Sequence, residues 1–146
     1  MRLLTLSLLV CLIPGTAMAR CVPFDFLKSI DKIPFIIHGK VTQSNKADLV
    51  SAQCGPDICK HQFNIDVMEI LKGNTSATNL QFQYDFVHQR PNISLFAEGD
   101  EYVFAVSKIT PDGQAALFGN TCGRSGLGVE NIEKIKQALK RKQRKH

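Results

Sequence analysis

Apolar residues alternate with polar ones over two stretches of this chain. Phe63, Ile65 and Val67 alternate with Gln62, Asn64, Asp66 and Met68, the pattern of a strand with one face buried. The alternation breaks at Glu69-Ile70-Leu71, which predicts a bulge or a bend. Leu80, Phe82, Tyr84 and Phe86 alternate with Gln81, Gln83 and Asp85 and predict a second amphipathic strand. Two other runs are apolar without clean alternation. Residues 35–42 form a β-branched run that reads as a buried strand, and residues 101–106 read as a strand buried on both faces. A short strand at 115–118 follows the Pro111-Asp112-Gly113 turn. Lys72-Gly73-Asn74 and Glu98-Gly99-Asp100 mark further turns. Residues 24–31 place Phe26, Leu27 and Ile30 at helical spacing and predict a short helix ended by Pro34. Residues 43–59 are polar and turn-rich.

Near the C-terminus the period changes. Val129, Ile132, Ile135 and Leu139 recur at helical spacing, with Glu130, Lys134, Lys136 and Gln137 off that stripe. Gly123-Arg124-Ser125-Gly126-Leu127-Gly128 precedes it and reads as a connector, because it lacks the ending of a phosphate-binding loop. Five short strands and one closing helix predict a mainly β fold. Its form is a small closed five-stranded Greek-key barrel of the OB type, with the C-terminal helix packed on it.

Composition adds a compartment. Arg2, the apolar run 3–13, the break at Pro14-Gly15 and Ala17-Met18-Ala19 have the layout of a signal peptide cleaved after Ala19. The apolar run is shorter than the about 20 residues a membrane helix needs, and no later stretch is long enough. The expected plan is a signal peptide at 1–19, one barrel domain at 20–139 and a basic tail at 140–146. The expected location is the periplasm or outside the cell. Of the 18 Lys+Arg, five lie in that tail (Lys140, Arg141, Lys142, Arg144, Lys145) and one is Arg2, leaving 12 against 13 Asp+Glu. The barrel is therefore near neutral. The tail reads as a solvated end, with an anionic polymer or lipid surface as its candidate contact. Cys11 leaves with the signal, and Cys21, Cys54, Cys59 and Cys122 remain. An even count in an exported chain reads as a disulfide framework with three connectivities.

The order of motifs resembles one family. A cysteine stands at the mature N-terminus, a strand ends in Gly39-Lys40-Val41, and an amphipathic strand closes on Leu71-Lys72-Gly73. Glu98-Gly99-Asp100-Glu101-Tyr102-Val103-Phe104-Ala105 follows, and then a hairpin leads to Cys122. The stretches 36–41, 63–73, 80–84, 99–105 and 117–122 are similar to the netrin-like OB-fold domain of tissue inhibitors of metalloproteinases. By position, the resemblance implies a Cys21–Cys122 disulfide. It also implies a protease-contact ridge at Arg20, Cys21, Val22 and Pro23. Cys54 and Cys59 do not match the family pattern. They bracket a Gly-Pro turn and are expected to pair with each other. The family's inhibitors begin at a cysteine whose amine and carbonyl chelate the protease zinc, with a second cysteine two residues on. Here Arg20 comes first and only one cysteine follows. The family's separate C-terminal subdomain is also missing.

Other candidate chemistry has simpler readings. Cys54, Cys59 and His61 have spacing suited to zinc, but an oxidising compartment favours a disulfide. His38, His61 and His88 have no serine or cysteine nucleophile in a recognisable elbow. Asp66 falls on the exposed phase of its strand, so Asp66 and Glu69 do not suggest a carboxylate pair. The strand aromatics fall on the buried phase, which disfavours base stacking and specific nucleic-acid binding. Asn74-Thr75-Ser76 and Asn92-Ile93-Ser94 are glycosylation sequons. No catalytic residue, metal site or cofactor is expected, and the expected form is a monomer. The expected function is that of an exported, disulfide-stapled protein-binding module, with metalloprotease inhibition as the activity the resemblance implies. The partner would be a secreted or periplasmic metalloprotease or another protein. The alternative is a non-inhibitory module for an envelope polymer or other partner.

Overall fold

The structure, a computed structural model, describes residues 24–51, 58–87, 95–119 and 125–144. Five strands form a closed barrel: β1 (Phe35–Ser44), β2 (Ile58–Lys72), β3 (Asn79–Val87), β4 (Glu101–Ile109) and β5 (Gln114–Leu117). Their order is β1-β2-β3-β5-β4, and β4 pairs back to β1. The β3–β5 junction is parallel and the other four are antiparallel, so the barrel is mixed. This is the Greek-key OB-type closure expected from the strand count. Closure gives every strand two neighbours and removes the exposed edges that would invite pairing between chains. A sixth strand, β6 (Gly126–Gly128), continues the edge of β4 opposite Tyr102–Phe104. A 3-10 turn (Val129–Asn131) then leads into the helix Ile132–Gln143.

Period two decides what enters the barrel. Phe63, Ile65, Leu80 and Phe82 are buried, while Gln62, Asp66, Gln81 and Gln83 of the same strands are exposed. The rings of Phe63 and Phe82 stack at 4.8 Å, and Phe104 of β4 lies 5.7 Å from Phe63. Phe96, which precedes β4, closes this cluster at 4.8 Å from Phe63 and 5.0 Å from Phe104. Each such side chain contributes about 2–3 kcal/mol on burial.

The second face of β4 forms another core. Val103 and Ala105 pack with Ile36, with Phe26, Ile30 and Ile33 of the N-terminal segment, and with Ile135 of the C-terminal helix. Hence residues 103–106 are all buried, two under the helix and two in the barrel, as the unbroken apolar run predicts. The predicted bulge is also present. Between β1 and β2 the register skips Leu71 and Met68 on β2 and Thr42 on β1. Gly39 packs closely on β2, where an added Cβ would come within 2.6 Å of Ile65 Cδ1.

Four expectations change. Residues 26–32 are turns rather than a helix, although Ser29 N–H donates to Asp25 O in helical fashion. Lys72 donates to the carbonyls of Ile30 and Asp31 at 2.8 and 2.9 Å, so those carbonyls end on a β2 side chain and not on a further helical turn. The polar stretch after β1 holds a short helix, α1 (Lys46–Ser51). The glycine connector contains β6, whose backbone pairs with β4. The C-terminal helix, α2 (Ile132–Gln143), does not stop at Leu139. Lys140, Arg141 and Lys142 form its last turn, where cations are stabilised by the negative end of the helix dipole, and Lys142 pairs with Asp31.

Candidate functional site: a carboxamide groove on the barrel wall

The polar phases of four neighbouring strands meet on the outside of the barrel. Gln43 of β1 stands opposite Asn64 of β2, Asn64 opposite Gln81 of β3, and Gln81 opposite Gln114 of β5. The result is a row of four carboxamides across the strands, spaced by the about 4.8 Å between neighbours in a sheet. A second pair, Gln62 and Gln83, lies beside it. These residues border a groove of about 580 Å³, together with Ser44, Asn45, Asp48 and Glu98. Five of the nine glutamines in the chain line it.

The amides bond in pairs across the strands. Asn64 Nδ2 donates to Gln43 Oε1 at 2.7 Å, Gln62 Nε2 to Gln83 Oε1 at 2.9 Å, and Gln114 Nε2 to Gln81 Oε1 at 2.7 Å. Among the described residues no lysine or arginine lines the groove, whose formal charges are the carboxylates of Asp48 and Glu98. Phe63 and Phe82 border it from below but are 1% and 3% exposed, so no ring face is offered.

One end of the groove is braced by a buried histidine. His61 shares the inward phase of Phe63 and is fully buried. Its Nδ1–H donates to Asn45 Oδ1 at 2.9 Å, and its Nε2 accepts the Phe96 N–H at 3.1 Å. Asn45 Oδ1 also accepts the Gln62 N–H, and Asn45 Nδ2 donates to Lys60 O, both at 2.9 Å. Ser44 Oγ donates to Phe96 O at 2.6 Å and accepts the Lys46 N–H at 3.1 Å, where α1 begins. Burial holds the His61 pKa down at about 4, with a smaller push from the Lys46 ammonium. His61 is therefore a neutral structural group with both nitrogens engaged.

The residues singled out from the sequence are scattered. Cys59 is buried beside Leu49, Tyr84 and Leu95 and is disulfide-bonded; its partner lies outside the described residues. With Cys59 bridged and both His61 nitrogens occupied, neither is offered to a metal. Among the described residues no three His, Cys, Asp or Glu side chains group as a metal site requires. His38 Nε2 faces Glu101 Oε2 at 3.3 Å. Asp66 is exposed and bonded to Asn79, while Glu69 pairs with Lys136 at 2.9 Å, so the two carboxylates do not form a site. Lys140, Arg141 and Arg144 are exposed at the end of α2, on a different part of the fold from the groove. The signal segment 1–19, the ridge Arg20, Cys21, Val22 and Pro23, and also Cys54, His88, the Asn92 sequon, Cys122 and Lys145, lie outside the described residues. Among the described residues no helix is long and apolar enough to cross a membrane.

The groove escaped the sequence reading because outward polar positions on a strand are ordinarily solvated. The available signal was compositional: the outward phases of four strands repeat one functional group, the carboxamide, at 43, 62, 64, 81, 83 and 114. No family model matches the chain, and no curated protein matches it.

Proposed function

We propose that the chain is an exported, non-enzymatic binding module on a netrin-like barrel, with the carboxamide groove as its working surface. The observation that carries this reading is the row Gln43, Asn64, Gln81 and Gln114, whose amides are held by cross-strand bonds over a rigid core. Fixed polar groups on strands suit recognition better than groups on loops. A binding role is favoured over catalysis because His38 and His61 bond to Glu101 and to Asn45 with Phe96, not to a hydroxyl or thiol nucleophile.

Metalloprotease inhibition is the second reading, and one contact favours it. Phe24 packs on Phe118 at 5.6 Å, which brings the N-terminal segment beside the end of β5. Cys21 lies three residues before Phe24 and Cys122 four after Phe118. At up to about 3.5 Å of reach per residue a Cys21–Cys122 bridge is accessible, which leaves Cys54 for Cys59. Such a bridge would fix the ridge at 20–23, but cleavage after Ala19 would put Arg20, not Cys21, first.

The two readings are separated by secreting the chain, sequencing its N-terminus and comparing three forms. These are the wild type, a form trimmed to begin at Cys21, and Gln81→Arg. The binding-module reading expects Gln81→Arg to lose partner binding and neither of the other forms to inhibit a panel of metalloproteases. Inhibition that rises on trimming and ignores Gln81→Arg would overturn it in favour of zinc chelation.

A further inference from the structure

We infer that the groove is a binding site for an uncharged glycan chain. The inference rests on the reading of this wall as the working surface and adds the class of ligand. A sugar hydroxyl donates and accepts at once, so its best partner offers both. Each carboxamide carries two N–H donors and two acceptor lone pairs, and the cross-strand bonds use only one of these on each side. Gln43, Gln81 and Gln83 accept through Oε1, and their Nε2 donors make no hydrogen bond among the described residues. Asn64, Gln62 and Gln114 donate one N–H and keep the carbonyl as an acceptor. Along the row the outward groups therefore mix donors and acceptors at strand spacing. The mutual bonds also hold the amide planes before any ligand arrives, which reduces the entropy lost on binding.

Charge selects against the other polymers. With Asp48 and Glu98 on its border and no cation among its described lining residues, the groove repels polyanions, although the whole chain carries a formal net charge of +5. Nucleic acid is further disfavoured by the lack of a ring face for bases to stack on. A peptide added as an extra strand needs an open sheet edge, and at the centre of the row Asn64 and Gln81 are each paired on both sides, Asn64 with Gln43 and Gln81, Gln81 with Asn64 and Gln114. An uncharged polyhydroxylated chain lying across the strands meets none of these objections. Without an aromatic platform its affinity comes from hydrogen bonds, so dissociation constants of about 0.1–1 mM are expected for short oligomers.

The test uses the secreted, disulfide-intact protein labelled with nitrogen-15. Maltohexaose, cellohexaose and N-acetylchitohexaose are titrated separately while the side-chain NH₂ resonances are followed. The expected result is that at least one oligomer shifts the Gln43, Gln81 and Gln83 amides. A Gln81→Ala/Gln114→Ala double variant should then bind about tenfold more weakly, with an unchanged melting temperature, since both side chains are exposed. If none of the three shifts these resonances, or the double variant binds as well as wild type, the glycan assignment is overturned. A heparin hexasaccharide and a glutamine-rich decapeptide locate the failure. If either shifts the same amides while the neutral sugars do not, the groove stands and the ligand class is wrong. If no probe moves them, the groove itself fails as the working surface.

Discussion

The backbone N–H of Phe96 donates to Nε2 of His61 at 3.1 Å, joining the segment before β4 to the start of β2. The bond requires a lone pair on Nε2, and so a neutral imidazole. His61 Nδ1–H is already committed to Asn45, so a proton added at Nε2 has no acceptor and displaces the Phe96 N–H. The Lys46 ammonium nearby opposes the added charge.

Acid should therefore weaken the fold through this residue. The folded pKa of about 4 is below the 6.5 of a free histidine, so between those values the unfolded chain binds more protons. The His61 contribution is complete above about pH 6.5 and falls as the pH drops, by about 1.4 kcal/mol per unit, until about pH 4. Urea melts at pH 7 and pH 5 should differ by about 2 kcal/mol more in wild type than in His61→Gln, which keeps a donor and an acceptor but does not titrate. Equal pH slopes in the two proteins would show that His61 is not the titrating group.

The disulfide proposal makes a separate prediction. Peptide mapping without reduction should recover Cys21 with Cys122 and Cys54 with Cys59. Closing about 100 residues of chain stabilises by roughly 4–5 kcal/mol before strain is subtracted. Cys122→Ser should therefore cost about twice as much stability as loss of the short Cys54–Cys59 loop, which the same relation puts at about 2 kcal/mol. Recovery of Cys21 joined to Cys54 would break both the pairing and the resemblance that implies it.

The C-terminal helix should be held by one apolar contact more than by its ion pairs. Ile135 is fully buried against Val103 and Ala105, and Ile135→Ala should cost about 2–4 kcal/mol. Lys142 and Asp31 are both about half exposed, so Lys142→Ala should cost less than about 1 kcal/mol. Denaturant melts of the two variants give the comparison, and a larger loss from Lys142→Ala would place the anchor at the basic turn.

Gly39→Ala should destabilise by about 1–3 kcal/mol. Its new methyl would sit 2.6 Å from Ile65 Cδ1 and 3.0 Å from Asp66 O, and the carbonyl cannot move without opening the β1–β2 ladder. An unchanged melting temperature would mean that the two strands can separate freely at this point.

Much of the barrel was legible along the chain. The alternation through Phe63–Ile65 and Leu80–Phe82 marked inward faces, the unbroken run to Val106 marked a strand covered on both sides, and the stripe through Ile135 marked the helix. Period two even put His61 on the inward face, although a lone histidine there gives no hint of its partners. Phe96 was not legible. It lies outside any strand, and its burial depends on Ser44 and His61, which fold to it from far along the chain.

What the sequence determined by itself was the side of each strand that faces oil or water, because the side-chain period is a property of the local backbone. Which strands become neighbours was decided only by the tertiary structure. β5 closes the barrel by running parallel to β3, a pairing with no turn between them to announce it, and β1 reaches both β2 and β4. That closure sets the register that lines Gln43, Asn64, Gln81 and Gln114 into one row. Local patterning chose four outward amides, but long-range hydrogen bonding and the burial of Phe63, Phe82 and Phe104 placed them side by side.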